Sequence, residues 1–228
     1  MSVITAIETQ KRRGKRRSIF VDGEFVAGVH EDVVAALSLS VGQSFEPGRL
    51  SELLRAETLR KARESALRLI GYRDRSTAEM RRRLAGSDFP EDVVVEVVDQ
   101  LSRSGLLDDG KFSRDWVKSR TASKPMGRAR LAWELKSKGV DAPVVEEALE
   151  AIDGEAELEL ARSVAQNKLR KMDPRDPSLR EKLGSFLRRR GFGWDVIARA
   201  VDALCRVSSA IGEEDAETSL TLCPRGDQ

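Results

Sequence analysis

The chain has 228 residues, of which 40% are hydrophobic and 34% charged, and its 40 Lys and Arg against 38 Asp and Glu leave a net charge of +2. That balance excludes a uniformly basic nucleic-acid binder, and two cysteines without CxxC spacing exclude a disulfide or zinc scaffold. No apolar run approaches the roughly 20 residues of a membrane span, and the basic run at residues 11–17 leads into no signal-peptide core; a reducing, cytoplasmic setting is expected.

Residues 1–50 read as a small β-rich module. The β-branched stretch Val3–Thr9 predicts a strand. Lys11, Arg12, Arg13, Lys15, Arg16 and Arg17 surround Gly14 in a basic turn. Ser18–Val21 and Phe25–Val29 predict two further strands joined by an Asp22-Gly23 hairpin turn. A short helix is expected from Glu31 to Leu39, with Pro47-Gly48 punctuating the exit. So short a module has little core of its own and is expected to pack on the first of the helical repeats that come after it.

Everything after Leu50 reads as helical. A long amphipathic segment runs from Leu53 to Tyr72. Ser76 and Glu79 have capping-box spacing before a helix reaching Ala85, and Pro90 suits the first position of the next. Asp108 or Asp109 caps a helix from Phe112 to Arg120. Further helices are expected over 128–137, from Asp141, over 155–171, over 179–190 and from Trp194. Gly139 and Gly191 stand where a helix stop wants glycine.

One apolar pattern recurs three times in this region. Around Phe89, Val140 and Phe192, apolar residues fall at offsets −9, −5, 0, +4, +5, +8, +9 and +12, and the copies are 51 and 52 residues apart. Such a period signals an array of repeats, and stacked helical repeats present long surfaces for partners. The expected fold is mainly α: an elongated tandem array of three-helix repeats at 51–108, 109–154 and 155–207, preceded by the β-rich module at 1–50. Residues 208–228 carry five acids against one base and read as a disordered acidic tail, which leaves about +6 on the remainder.

Catalytic signatures are sparse. The lone His30 has no nucleophile–carboxylate constellation beside it, and no glycine-rich phosphate loop occurs. Adjacent Asp108 and Asp109 suggest either a helix N-cap with a dipole-stabilised acid or a weak cation site. No catalytic residue, metal or cofactor is assigned.

The candidate partner- or DNA-binding residues are basic: Arg81, Arg82 and Arg83; Lys124 and Arg128; Lys136 and Lys138; Arg188, Arg189 and Arg190; and the Lys11–Arg17 run. Lys136 and Arg188 share offset −4, and Lys138 and Arg190 share −2. Cations at helix ends are also ordinary complements of the macrodipole. Their recurrence on a periodic scaffold suits a periodic polyanion or filament. Of the tryptophans, Trp116 and Trp133 are expected to be packed and Trp194 partly exposed.

Three motifs carry a resemblance. Gly105-Leu106-Leu107-Asp108-Asp109 followed by Phe112, Lys124-Pro125-Met126-Gly127 with Glu134-Leu135 and Lys138-Gly139, and Phe186-Leu187-Arg188-Arg189-Arg190-Gly191-Phe192 together resemble the RecX family, bacterial regulators of RecA recombinase. The likeness spans about Ala62 to Leu204. Ser87-Asp88 departs from the basic-glycine pair of the other two repeats, so a different helix stop is expected there. The resemblance implies a non-enzymatic, tandem three-helix protein that lodges on the RecA–DNA filament and inhibits ATP hydrolysis and strand exchange. A monomer with weak DNA affinity of its own is expected. A stand-alone helix-turn-helix DNA binder is the competing reading.

Overall fold

The structure, a computed structural model, describes residues 2–11, 14–173 and 176–204. The expectations for Arg12, Arg13, Cys205, Cys223 and the 208–228 tail lie outside the described residues. The described residues fall into two compact units, one up to Asp108 and one from Asp109 onward.

The first unit opens with an antiparallel sheet of order β3-β2-β1-β4, built from β1 (Ser2–Thr9), β2 (Arg16–Val21), β3 (Glu24–His30) and β4 (Ser44–Phe45). Asp22 (φ 51°) and Gly23 (φ 88°) are both left-handed, as the two-residue hairpin turn requires. The Asp22 carboxylate accepts from the Val3 amide at 3.0 Å and ties the turn to β1. Arg16 and Arg17 belong to β2 rather than to the basic turn, and the two-residue β4 had no sequence signal. Helix α1 spans Glu31–Ala36.

Helix α2 (Pro47–Tyr72) carries Pro47 in its first turn. The Pro-Gly pair therefore starts a helix instead of leaving one, since a fixed φ and a missing N–H are harmless at a first helical position. The N-terminal half of α2 lays Leu53, with Leu50 and Ala56, on the sheet residues Ile4, Ile19, Val21, Ala27 and Val29. Its C-terminal half supplies Ala62 and Ala66 to the core of the first repeat. Between the halves sits Glu57, which is buried. Its carboxylate accepts from Arg16 Nη1 at 2.9 Å, from the His30 amide at 2.9 Å and from Arg60 Nε at 3.4 Å. Burial pushes its pKa up, but the His30 amide, Arg60 and Arg16 outweigh that and hold it below the ordinary glutamate range.

The first repeat is completed by α3 (Thr77–Ala85) and α4 (Glu91–Arg103). Ser76 Oγ accepts from the Glu79 amide at 3.1 Å, and Pro90 stands as the N-cap of α4, one place before its expected position. The second unit holds α5 (Asp109–Ser123), α6 (Arg128–Ser137), α7 (Ala142–Leu149), α8 (Gly154–Leu169), α9 (Leu179–Arg189) and α10, residues 194–204. Of the triplicated apolar positions all are buried except Phe89, Val144 and Leu204, which are partly so.

Each repeat closes its own core, and the first helix is what closes it. Leu158, Ala161, Val164 and Ala165 of α8 cover the α9–α10 stripe, and Phe112 and Val117 of α5 cover that of α6–α7. The residue at offset −1 is left-handed in all three: Asp88 (φ 59°), Gly139 (φ 81°) and Gly191 (φ 82°). The different helix stop expected for the first repeat is thus corrected. An aspartate adopts the same backbone conformation, which short polar side chains tolerate.

The second and third repeats meet main chain to main chain. The Gly127 amide donates to the Arg190 carbonyl at 3.0 Å. A Cβ on Gly127 would stand 2.2 Å from the Gly191 carbonyl oxygen, and one on Gly191 would stand 2.5 Å from the Arg130 nitrogen. The Glu157 carboxylate of α8 accepts from the Arg128 amide at 2.8 Å. It thereby caps α6, whose N-cap Gly127 has no side chain to do so, and places a negative charge at the positive end of the helix.

Gly127→Ala is expected to lose about 1–3 kcal/mol through overpacking, and Gly191→Ala a further ~1–2 kcal/mol from its left-handed backbone. Gly42→Ala, left-handed but in open space, is expected to lose only the backbone contribution; urea unfolding of the three variants checks the order. Because the folded-state pKa of Glu57 is depressed, its stabilisation is present above the ordinary glutamate range and is lost as pH falls through the lower folded value. Glu57→Gln is expected to be less stable at neutral pH by about 1.5–3 kcal/mol and less acid-sensitive, as read by unfolding midpoints across pH.

Candidate interaction site

The basic residues singled out in the sequence fall into two groups. Some are used inside the fold. Arg16 pairs with Glu57 and also donates to the Gly28 carbonyl. Arg17 donates to the Gly14 carbonyl and to Glu31, both at 2.8 Å. Arg128 donates from Nη1 to the Ile152 carbonyl at 2.8 Å, fixing the end of α7 against α6. Arg190, the C-cap of α9, reaches the Pro125 carbonyl at 3.0 Å and lies over the Phe186 ring. Lys138, the C-cap of α6, has its ammonium 4.2 Å from the Trp116 ring centre. The two cations at offset −2 are therefore both used inside the fold, Lys138 within its own repeat and Arg190 across to the preceding one.

The others face solvent. Lys136 and Arg188, both at offset −4 in the last turn of their helices, are exposed, as is Arg189. Arg81, Arg82 and Arg83 are exposed on α3, and Arg81 reaches Asp99 of α4 at 3.7 Å. Lys11, Lys15 and Lys124 are exposed as well. Exposed ion pairs of this kind contribute little to stability, so such cations are available to an outside anion at small cost. Among the described residues no group of three or more His, Cys, Asp or Glu is placed to hold a metal. His30 is bound into its own helix entry, its Nδ1 accepting from the Asp32 amide at 3.2 Å.

Trp133 is 57% exposed, contrary to the expected packing, whereas Trp194, expected to be partly exposed, is 67% exposed. Each carries a guanidinium, Arg130 at 4.3 Å from the Trp133 ring and Arg188 at 4.9 Å from Trp194. Trp116 by contrast is half-buried. Its indole N–H donates to Glu134 at 3.1 Å, and Arg120 shares the same oxygen at 3.0 Å. Glu134 is thus the polar hub joining α5 to α6, and its partners lie up to 18 residues away in sequence.

Four family models match the chain: the regulatory protein RecX N-terminal domain over residues 2–46, and the first, second and third RecX three-helix domains over 62–101, 108–149 and 155–201. The likeness thus extends to the β-rich module, beyond the span the motifs alone suggested. Regulatory protein RecX of Mycobacterium ulcerans is 40% identical over 162 residues, covering 70% of this chain and 92% of its own. That of Clostridioides difficile is 27% identical over 205 residues, covering 90% and 96%. A crystal structure of a regulatory protein RecX superposes with a TM-score of 0.75 at 24% identity, over 89% of this chain and 100% of that one, and so supports the fold.

Truncation of the tryptophans separates the two environments. Trp133→Ala and Trp194→Ala are expected to change stability by less than about 0.5 kcal/mol. Trp116→Ala is expected to lose about 3 kcal/mol, as thermal or urea unfolding reads.

Proposed function

The chain belongs to the RecX family of regulatory proteins, and from that membership and its exposed helix-end cations we propose that it is a non-catalytic regulator that binds the RecA–DNA filament and inhibits ATP hydrolysis and strand exchange. The observation that carries the reading is the exposed pair at offset −4. Lys136 and Arg188 hold the same place in successive repeats and are directed to solvent, while the cations beside them at −2 are used internally. A filament repeats its acidic or phosphate groups, so single weak contacts on several repeats add through effective concentration. Among the described residues no helix is long and apolar enough to cross a membrane, and cytoplasmic action as a monomer is part of the proposal.

Double charge reversal, Arg188→Glu with Arg189→Glu, is expected to weaken inhibition of RecA ATP hydrolysis on single-stranded DNA about tenfold, with the unfolding midpoint preserved. Unchanged inhibition by the folded variant would remove these residues from the contact. Co-sedimentation with RecA on DNA, set against DNA alone, tests the partner itself. Sequence-preferring duplex binding without RecA would support the helix-turn-helix reading instead.

A further inference from the structure

We infer that the cleft between the C-terminal end of α8 and the face of α9 binds the phosphodiester backbone of a single nucleic-acid strand. The cleft has a volume of about 350 Å³. Its apolar lining is Val164, Phe186 and Pro125, and its polar lining is Asn167, Lys168, Lys171 and Arg190. Three cations and an amide thus face one concavity with no carboxylate among them. Lys168, in the last turn of α8, is accounted for in part by the macrodipole. Lys171 lies just past the end of α8 and is exposed, and Arg190 enters from the end of a different helix, α9, so two helix ends bring their cations to one concavity. Lys168 and Arg190 both lie over Phe186, at 5.6 and 5.1 Å from its centre. The ring is thus a shared cation–π partner for two of the charges that line the cleft.

The ligand chemistry is set by this lining. Like charges brought to one concavity repel, and an anion with several oxygens relieves the repulsion. A strand is favoured over a free nucleotide because the lining continues. A second cleft of about 480 Å³ shares Lys168 and runs on past Ser178, Ser185 and Arg189, with Glu181 and Lys182 also on its wall. Lys182 is already engaged there by Asp176, whose carboxyl it holds down at about 2. The acid-free cleft is therefore the principal contact and the second a continuation. Volumes at the lower end of small-ligand sites admit one sugar–phosphate chain and not a duplex. Lys168, Lys171 and Asn167 lie outside the motif stretches that resemble the family. The inference deepens the DNA contact of the proposed function and rests on that reading for its setting, but its test needs no RecA.

The test is fluorescence anisotropy of a labelled oligo-dT with the full chain, wild type against Lys168→Ala/Lys171→Ala, across a salt series. Arg190 is left in place because it also holds Pro125. Removing two phosphate contacts is expected to weaken binding about tenfold and to reduce the magnitude of the log K against log salt slope by about 1.4, with the melting temperature within about 2 °C of wild type. A labelled ATP analogue is expected not to bind either protein; binding lost in the variant would show a nucleotide site and overturn the assignment to a strand. Equal oligo-dT affinity in wild type and variant, or no wild-type binding, overturns the cleft. Failure of the proposed function is distinguishable, because there the wild type binds oligo-dT through these lysines but leaves RecA ATP hydrolysis unaffected.

Discussion

Two glycines, 64 residues apart in sequence, set the geometry of the second unit. Gly127 and Gly191 bring their main chains close enough that a single methyl group on either would collide with the other strand of the contact. The rest of the junction is organised around that approach. The Gly127 amide is satisfied by the Arg190 carbonyl, the start of α6 by Glu157, and the Pro125 carbonyl by the Arg190 guanidinium. Buried main-chain polar groups need partners, and here each repeat supplies those the other lacks. Leu160 of α8 packs against the cores of both repeats and fills the apolar side of the same joint.

This arrangement explains the composition of the motifs that carried the family likeness. In Lys124-Pro125-Met126-Gly127 and in Arg190-Gly191-Phe192, the glycines make the close approach and the arginine spans it. Glu134 is the oxygen to which Trp116 and Arg120 bond. Among the described residues, the two buried glutamates, both outside these motifs, have parallel jobs on first helices. Glu57 on α2 binds the sheet through the His30 amide, and Glu157 on α8 binds the preceding repeat through the Arg128 amide. A carboxylate buried without such donors would carry a heavy desolvation penalty; with them it fixes which neighbour the helix accepts.

The apolar stripes were legible in the sequence because a helix repeats its faces every 3.6 residues and the array repeats its units. Gly139 and Gly191 were legible because a left-handed helix stop selects for glycine. The stop at Asp88 was not, because aspartate also serves turns and caps and has no unique signature. Pro47 was misread because the same residue ends one element and starts another. Among the charges, Arg16, Arg128 and Arg190 resembled the exposed Arg188 in local pattern. They differ only through partners 41, 24 and 65 residues distant, and no local window contains those. Lys168 and Lys171 went unremarked for the converse reason. They are spaced as ordinary helix-end lysines and become a constellation only when α9 brings Arg190 across.

The joint also has a mechanical consequence. A joint padded by side chains can yield by rotamer changes, each costing little. Where peptide groups are apposed, as at Gly127 and Gly191, there is less such compliance, and sliding there must break the Gly127–Arg190 hydrogen bond or bend the main chain. Force delivered at the tip of α9 is passed on to α6 with little slack. The helices that bear Lys136 and Arg188 are therefore joined through main chain at this point.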